Sequence, residues 1–264
     1  MTTSKALLAI ISILSVICGG CVIFRADNKP VGLVYHCTFD SKEAIEEPMV
    51  GPKGEFIGGD FVDGVKNKAL LVAAKSCSAI VPMEAGMLGQ KGCFELWGKF
   101  TPPRDVITTG HHPCFFTFGV LGVEPRFCIE WNGNNGLGGG GLNAMIEHLR
   151  ACTSNFIPSP RYKTIMGDKE KDWNHYALVW NKDGIKELSK DGEPLIKAAI
   201  FFNGKVVAST SFPEAPKWGL SPAITAVPTF LCFPFHKDVE NRSSVNYAID
   251  EFRFWNYDKV DFDL

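Results

Sequence analysis

Asp172-Trp173-Asn174-His175-Tyr176-Ala177-Leu178-Val179-Trp180-Asn181 is the stretch on which the fold turns. Alternation sets Trp173, His175, Ala177 and Val179 on one side, and Asn174, Tyr176, Leu178 and Trp180 on the other. Both sides are largely apolar or aromatic, so the spacing predicts a central strand covered on both faces. Asn181-Lys182-Asp183-Gly184 closes it as a polar turn. Downstream, Ala198–Phe202 and Lys205–Thr210 are β-prone runs separated by Asn203-Gly204. A two-residue hairpin turn needs positive φ at both positions, which Asn and Gly accept, so these runs predict a hairpin.

Working outward, further strands are expected at Gly32–Phe39, Phe61–Gly64, Ala69–Ala73, Cys93–Phe100, Pro113–Val120, Arg126–Trp131, Thr229–Phe233 and Val245–Trp255. Leu142–Arg150 fits a strand or a short helix, because its apolar spacing matches both. The segment with Glu43, Glu46 and Glu47 reads as a loop leading to Gly51-Pro52-Lys53-Gly54. The 20 Phe and 26 Gly, with few long helical patterns, fit many strands joined by Gly- and Pro-marked turns. At 264 residues and 45% hydrophobic, the chain can bury one large all-β core, and no stretch calls for a linker between two. The net charge of −2, with acidic and basic residues interspersed, lacks the basic face that nucleic-acid binding needs.

The first twenty residues have the pattern of a signal peptide, and 21–30 that of a tether ahead of a domain over 31–264. Lys5 supplies the positive start, and Ala6–Ile17 an apolar run too short for a comfortable membrane span. Gly19-Gly20-Cys21 then resembles a bacterial lipoprotein box, making Cys21 the candidate lipidation site and a lipid anchor the route to the membrane. Cys18 stands where that box usually has an aliphatic residue. An ordinary cleaved signal is the alternative. Of the remaining cysteines, Cys37, Cys93, Cys114, Cys128 and Cys232 sit in or beside apolar runs, where a free thiol behaves as a small hydrophobe. Mostly buried thiols with one or two bridges are expected.

Four segments in order carry a family resemblance. They are Gly32–Asp40, Phe61–Leu70, Trp173–Trp180 with the Phe202-Asn203-Gly204-Lys205 hairpin, and Ile249-Asp250-Glu251-Phe252-Arg253-Phe254-Trp255. Cys93–Phe100, with Glu95-Leu96-Trp97, fits as well. Together they resemble a laminin-G-like jelly roll of the concanavalin A-like lectin/glucanase superfamily. The resemblance implies a two-sheet antiparallel sandwich whose first and last strands lie close together. It also implies a structural calcium, for which Asp40 and Asp250 fall at the matching motif ends. It implies no single function, because the superfamily holds lectins, adhesion modules, glycanases and lyases.

A retaining glycanase needs two carboxylates about 5 Å apart. The superfamily's glucanases carry them on one strand as Glu-x-Asp-x-x-Glu, yet neither Glu95 nor Glu130 has a second carboxylate at that spacing. Asp250 and Glu251 are adjacent, and neighbours on a strand point to opposite faces. His111-His112-Pro113-Cys114 matches no standard zinc spacing, and no Gly-x-Ser-x-Gly elbow marks a nucleophile. A non-catalytic binding module is therefore expected, for glycan or protein partners. A structural or adhesive protein without a sugar site, and a polysaccharide-cleaving enzyme, are the alternatives. In Asn132–Gly141 every residue but Leu137 is Gly or Asn, which reads plainly as a surface loop. Its sharper reading is a ligand-side loop. There Trp131 would offer a stacking face, while Asn132, Asn134 and Asn135 would bond sugar hydroxyls.

Overall fold

The computed structural model describes residues 32–72, 79–81, 91–101, 114–118, 126–132, 141–148, 151–156, 172–211, 229–231 and 246–264. These build two antiparallel sheets. In chain order the first holds β1 (Leu33–Cys37), β3 (Asp60–Asp63), β4 (Lys68–Val72), β6 (Lys91–Thr101), β11 (Asn174–Asn181), β12 (Ala198–Phe202), β13 (Lys205–Thr210) and β15 (Asn246–Trp255). The second holds β2 (Glu55–Phe56), β5 (Ala79–Val81), β7 (Cys114–Phe118), β8 (Arg126–Asn132), β9 (Gly141–His148), β10 (Ala151–Phe156) and β14 (Thr229–Leu231). The orders are β13-β12-β11-β6-β15-β4-β3, with β1 added beside β15, and β10-β9-β8-β7-β14-β5-β2. The first and last strands are thus neighbours, through Cys37 opposite Phe252 and Leu33 opposite Trp255.

Asn174–Asn181 is β11, an interior strand between β6 and β12. It is buried from Asn174 to Trp180, as a strand covered on both faces must be. Its inner side, Tyr176, Leu178 and Trp180, joins Phe94, Leu96, Ile200, Phe202, Phe252 and Phe254 in the core, together with Ala79 and Val81 of the second sheet. Phe56 of the second sheet stacks on Phe61 of the first at 5.6 Å, closing the same space. Two sheets facing across one apolar layer are a β-sandwich.

Two local details make the pattern work. Gly92 lies directly opposite Trp180, and a Cβ there would meet the indole at 2.5 Å, so glycine leaves the space the large ring fills. Asn203 and Gly204 take φ of 47° and 71°, the left-handed pair expected of the β12–β13 hairpin.

Two expectations are corrected and one open choice is decided. The segment with Glu43 and Glu46 contains a short helix, α1 (Lys42–Glu46), rather than a continuous loop. Ser41 caps it by accepting from the Ala44 N–H at 3.2 Å, and its Ile45 is fully buried. Within Leu142–Arg150, whose spacing leaves strand and helix both open, the described residues to His148 belong to the strand β9, pairing with β8 and β10. The simple alternation of the last strand fails at Glu251, where the backbone turns left-handed (φ 51°) and the register with β6 slips. That bulge inserts one residue, so Tyr247 and Ile249 face inward before it, and Phe252 and Phe254 after it.

Candidate functional site

The outer face of the first sheet is also covered. Ala177, Val179, Cys93, Ala199 and Phe201 form a second apolar cluster. Ile185, Leu188 and Ile196 cover it from the β11–β12 connection, and Val260 and Phe262 from the segment after β15. Among this apolar surface the sheet carries a row of polar side chains across four adjacent strands. They are His36 on β1, Glu251 and Arg253 on β15, Glu95 on β6 and His175 on β11.

Glu95 is the best-held member. Its Oε2 lies 3.0 Å from His175 Nε2, its Oε1 accepts the Trp255 indole N–H at 2.8 Å, and Arg253 stands 3.7 Å away. Burial pushes its carboxyl upward, but bonds from His175 and Trp255 and the Lys259 charge outweigh that and hold it below the usual range. Glu251 repeats the arrangement beside it, with His36 Nε2 at 3.0 Å, the Arg253 guanidinium in direct contact and Lys66 at 4.0 Å. Its carboxyl too is held low, burial again being outweighed, here by His36, Arg253 and Lys66. Each carboxylate is engaged by an imidazole and by the Arg253 guanidinium, so neither is arranged as a free general acid or base.

Asp250 points elsewhere, as its place before the bulge requires. Its Oδ2 accepts the backbone N–H groups of Val65 at 2.7 Å and Lys66 at 3.2 Å, clamping the β3–β4 turn. Its Oδ1 is buried without a hydrogen-bond partner. Burial, with the nearby Glu251 charge acting in the same direction, exceeds the lowering by those N–H groups and pushes this carboxyl up to about 7. Asp40 meets the same turn, accepting the Lys68 N–H at 2.9 Å. The sequence-derived metal pair is thus brought to one turn, each carboxylate bonded to backbone. Among the described residues no group of three or more His, Cys, Asp or Glu gathers to hold a metal ion.

Two of the four sequence-derived ligand residues lie on the other sheet. Trp131 and Asn132 are the last residues of β8, opposite Leu142 and Gly141 of β9, so the Gly/Asn-rich run connects two paired strands. Asn134 and Asn135 lie outside the described residues, as does Cys21. Cys37 and Cys93 are free, buried thiols, as expected. Burial raises the first to about 12 and the second well above its ordinary value, which makes both inert.

Sequence reasoning named Glu95 and Glu251 but missed the row. It contains residues from four strands, and only strand order and the β15 bulge bring them together. The available signal was Glu251-x-Arg253, whose spacing puts opposite charges on one strand face.

No protein-family model matches the chain, and a search of curated proteins found no match. Among solved structures, the chain is similar to the binding domain of Paraclostridial Mosquitocidal Protein 1, at a TM-score of 0.63 and 13% identity. That match covers 86% of this chain and 49% of the other. It is also similar to the receptor binding domain of botulinum neurotoxin mosaic serotype C/D, with a TM-score of 0.59, 13% identity and coverage of 86% and 48%. The botulinum neurotoxin type G receptor binding domain matches at 0.57, with 10% identity and the same coverage. The chain spans about half the length of each. At such identities the likeness is one of fold: an antiparallel β-sandwich shared with domains named for binding.

Proposed function

We propose that this chain is an exported, non-catalytic binding module of the laminin-G-like kind, taking an extended glycan at the β8–β9 end of its second sheet. The likeness over 86% of the chain to sandwiches named as receptor-binding domains carries this reading. Trp131 and Asn132 support it, because they lie at a strand end beside a run of glycines and asparagines. An aromatic stacking face and amide donors are what a sugar ring and its hydroxyls require. The engagement of Glu95 and Glu251 by neighbouring side chains supports binding over cleavage. Export rests on the apolar run after Lys5, and anchoring on Gly19-Gly20-Cys21, with Cys21 carrying the lipid. A structural calcium at the turn shared by Asp40 and Asp250 belongs to the same proposal, favoured by the unpartnered Asp250 Oδ1.

The test is calorimetric titration of the chain with a polysaccharide panel, with product analysis after long incubation. Binding of at least one polymer without cleavage is expected. New reducing ends would establish an enzyme instead. Binding to a protein receptor alone would move the ligand class.

A further inference from the structure

The segment after β15 runs back over the outer face of the first sheet as a strap, and its anchors converge on Glu95. Phe262 packs on the His175 ring at 4.9 Å and on Phe201 at 5.0 Å. Lys259 places its ammonium 4.6 Å from the Phe262 ring and 5.4 Å from that of Trp255. Asp258 accepts the Asn181 side-chain N–H at 2.6 Å. Two of these anchors, His175 and Trp255, are hydrogen-bonded to the two oxygens of Glu95.

We propose that Glu95 is the latch of this strap, and that protonating it releases residues 256–264 from the sheet while the sandwich stays folded. The charges facing Glu95 decide the direction. His175 faces it from β11, Arg253 from β15, and Lys259 from the strap itself. Beyond Arg253 stand Glu251, His36 of β1 and Lys66 of the β3–β4 turn. Asp258 and Asp261 lie on the strap with Tyr257, while Cys93 shares the Glu95 strand. Neutralising Glu95 therefore removes the charge that attracts Lys259 of the strap, and leaves Arg253 with Glu251 alone. Removing one partner of a buried pair is costly, since the other charge stays buried. His175 Nδ1 has no partner, so the ring has no second bond to hold it once Glu95 lets go. Of the groups that hold the carboxylate ionised, Lys259 belongs to the strap, so its attraction is lost when the strap leaves.

Two thiols report the two faces. Cys93 is fully buried in the outer cluster beneath the strap, and Cys37 is fully buried in the inner core. Dithiodipyridine labels thiols in acid, and peptide-level mass spectrometry reads each cysteine separately. Between about pH 7 and pH 3, Cys93 labelling is expected to rise on the order of tenfold or more while Cys37 stays protected. In Glu95→Gln the same labelling of Cys93 alone is expected already at neutral pH. Phe262→Ala, which removes the strap's aromatic anchor on His175 and Phe201 while leaving Glu95 itself in place, is expected to do likewise. Cys93 and Cys37 rising together in the parent would mean global unfolding and overturn the proposal. A parent whose Cys93 stays protected throughout, or a folded Glu95→Gln whose Cys93 stays protected, would overturn it equally.

Discussion

The two faces of the first sheet are buried differently, the inner by apolar packing and the outer by apolar packing around an ionic row. Inward, Phe94, Trp180 and Phe254 pack ring on ring, with centroids 4.6 Å to 6.1 Å apart, and close the sandwich core. Outward, the same strands present Glu95, His175 and Arg253, which bond one another beneath a strap of nine residues, 256–264. Apolar burial is favourable wherever it is dry, whereas a buried ionic row roughly breaks even against its desolvation. The inner face therefore supplies stability. The outer face supplies position: it fixes which residues meet and under what charge state they do so.

Removing the largest inner ring tests the first half. Trp180→Ala should cost about 3–5 kcal/mol in denaturant unfolding, the range for a fully buried Trp. If it melts like the parent, the inner face is not where stability resides.

Asp250 gives the next largest effect, and its sign differs from that of the row. Its native carboxyl sits near 7, above its ordinary value of 3.8, so the native state binds the proton more tightly. Stability from this group is full below about pH 4 and falls as pH rises toward 7, by at most about 4 kcal/mol. Asp250→Asn keeps an oxygen for the Val65 and Lys66 N–H groups and cannot ionise, so that slope should vanish from its stability-versus-pH curve. If calcium occupies the turn, the parent above pH 7 is stabilised by added calcium and the Asn variant is not. Glu95 and Glu251, held low, act the other way, and their contribution is lost as pH falls through their depressed range.

Glu95→Ala should cost about 3 kcal/mol, because it leaves His175 without its carboxylate partner and Arg253 with Glu251 alone. Replacing the pair together, as Glu95→Leu with His175→Leu, should recover most of that loss in chemical denaturation. Failure to recover would mean the row stabilises the fold outright. The smallest effect expected is for Gly92→Ala, about 2 kcal/mol by overpacking against the Trp180 ring. A neutral result in thermal melts would show that the ring moves aside.

How much of this was legible from the chain follows from the same contrast. The inner face was readable because strand period is two, and Tyr176, Leu178 and Trp180 keep it without interruption. Asn203-Gly204 was readable because turn chemistry is local. The short α1, held by one Ser41 cap and one buried Ile45, carries too few residues to display helical spacing. The outer row was hidden for a different reason: His36 and Glu251 are 215 residues apart, and their meeting depends on pairing that no local pattern encodes. The bulge at Glu251 hid it further by shifting the alternation of the last strand. Of the proposed ligand residues, the sequence reads Trp131 as a strand end, whereas Asn132, expected as the first loop residue, is the last residue of β8.

The binding reading stands or falls on the second sheet. The direct measurement is titration calorimetry with the polysaccharide panel, comparing the parent with a folded Trp131→Ala. The account expects a polymer that binds the parent and loses on the order of tenfold in affinity, or about 1–3 kcal/mol, when the stacking ring is removed. Equal affinity in both proteins would take Trp131 out of the site. No binding of any polymer by the parent would contradict the glycan account and leave a sandwich whose role is adhesive or structural.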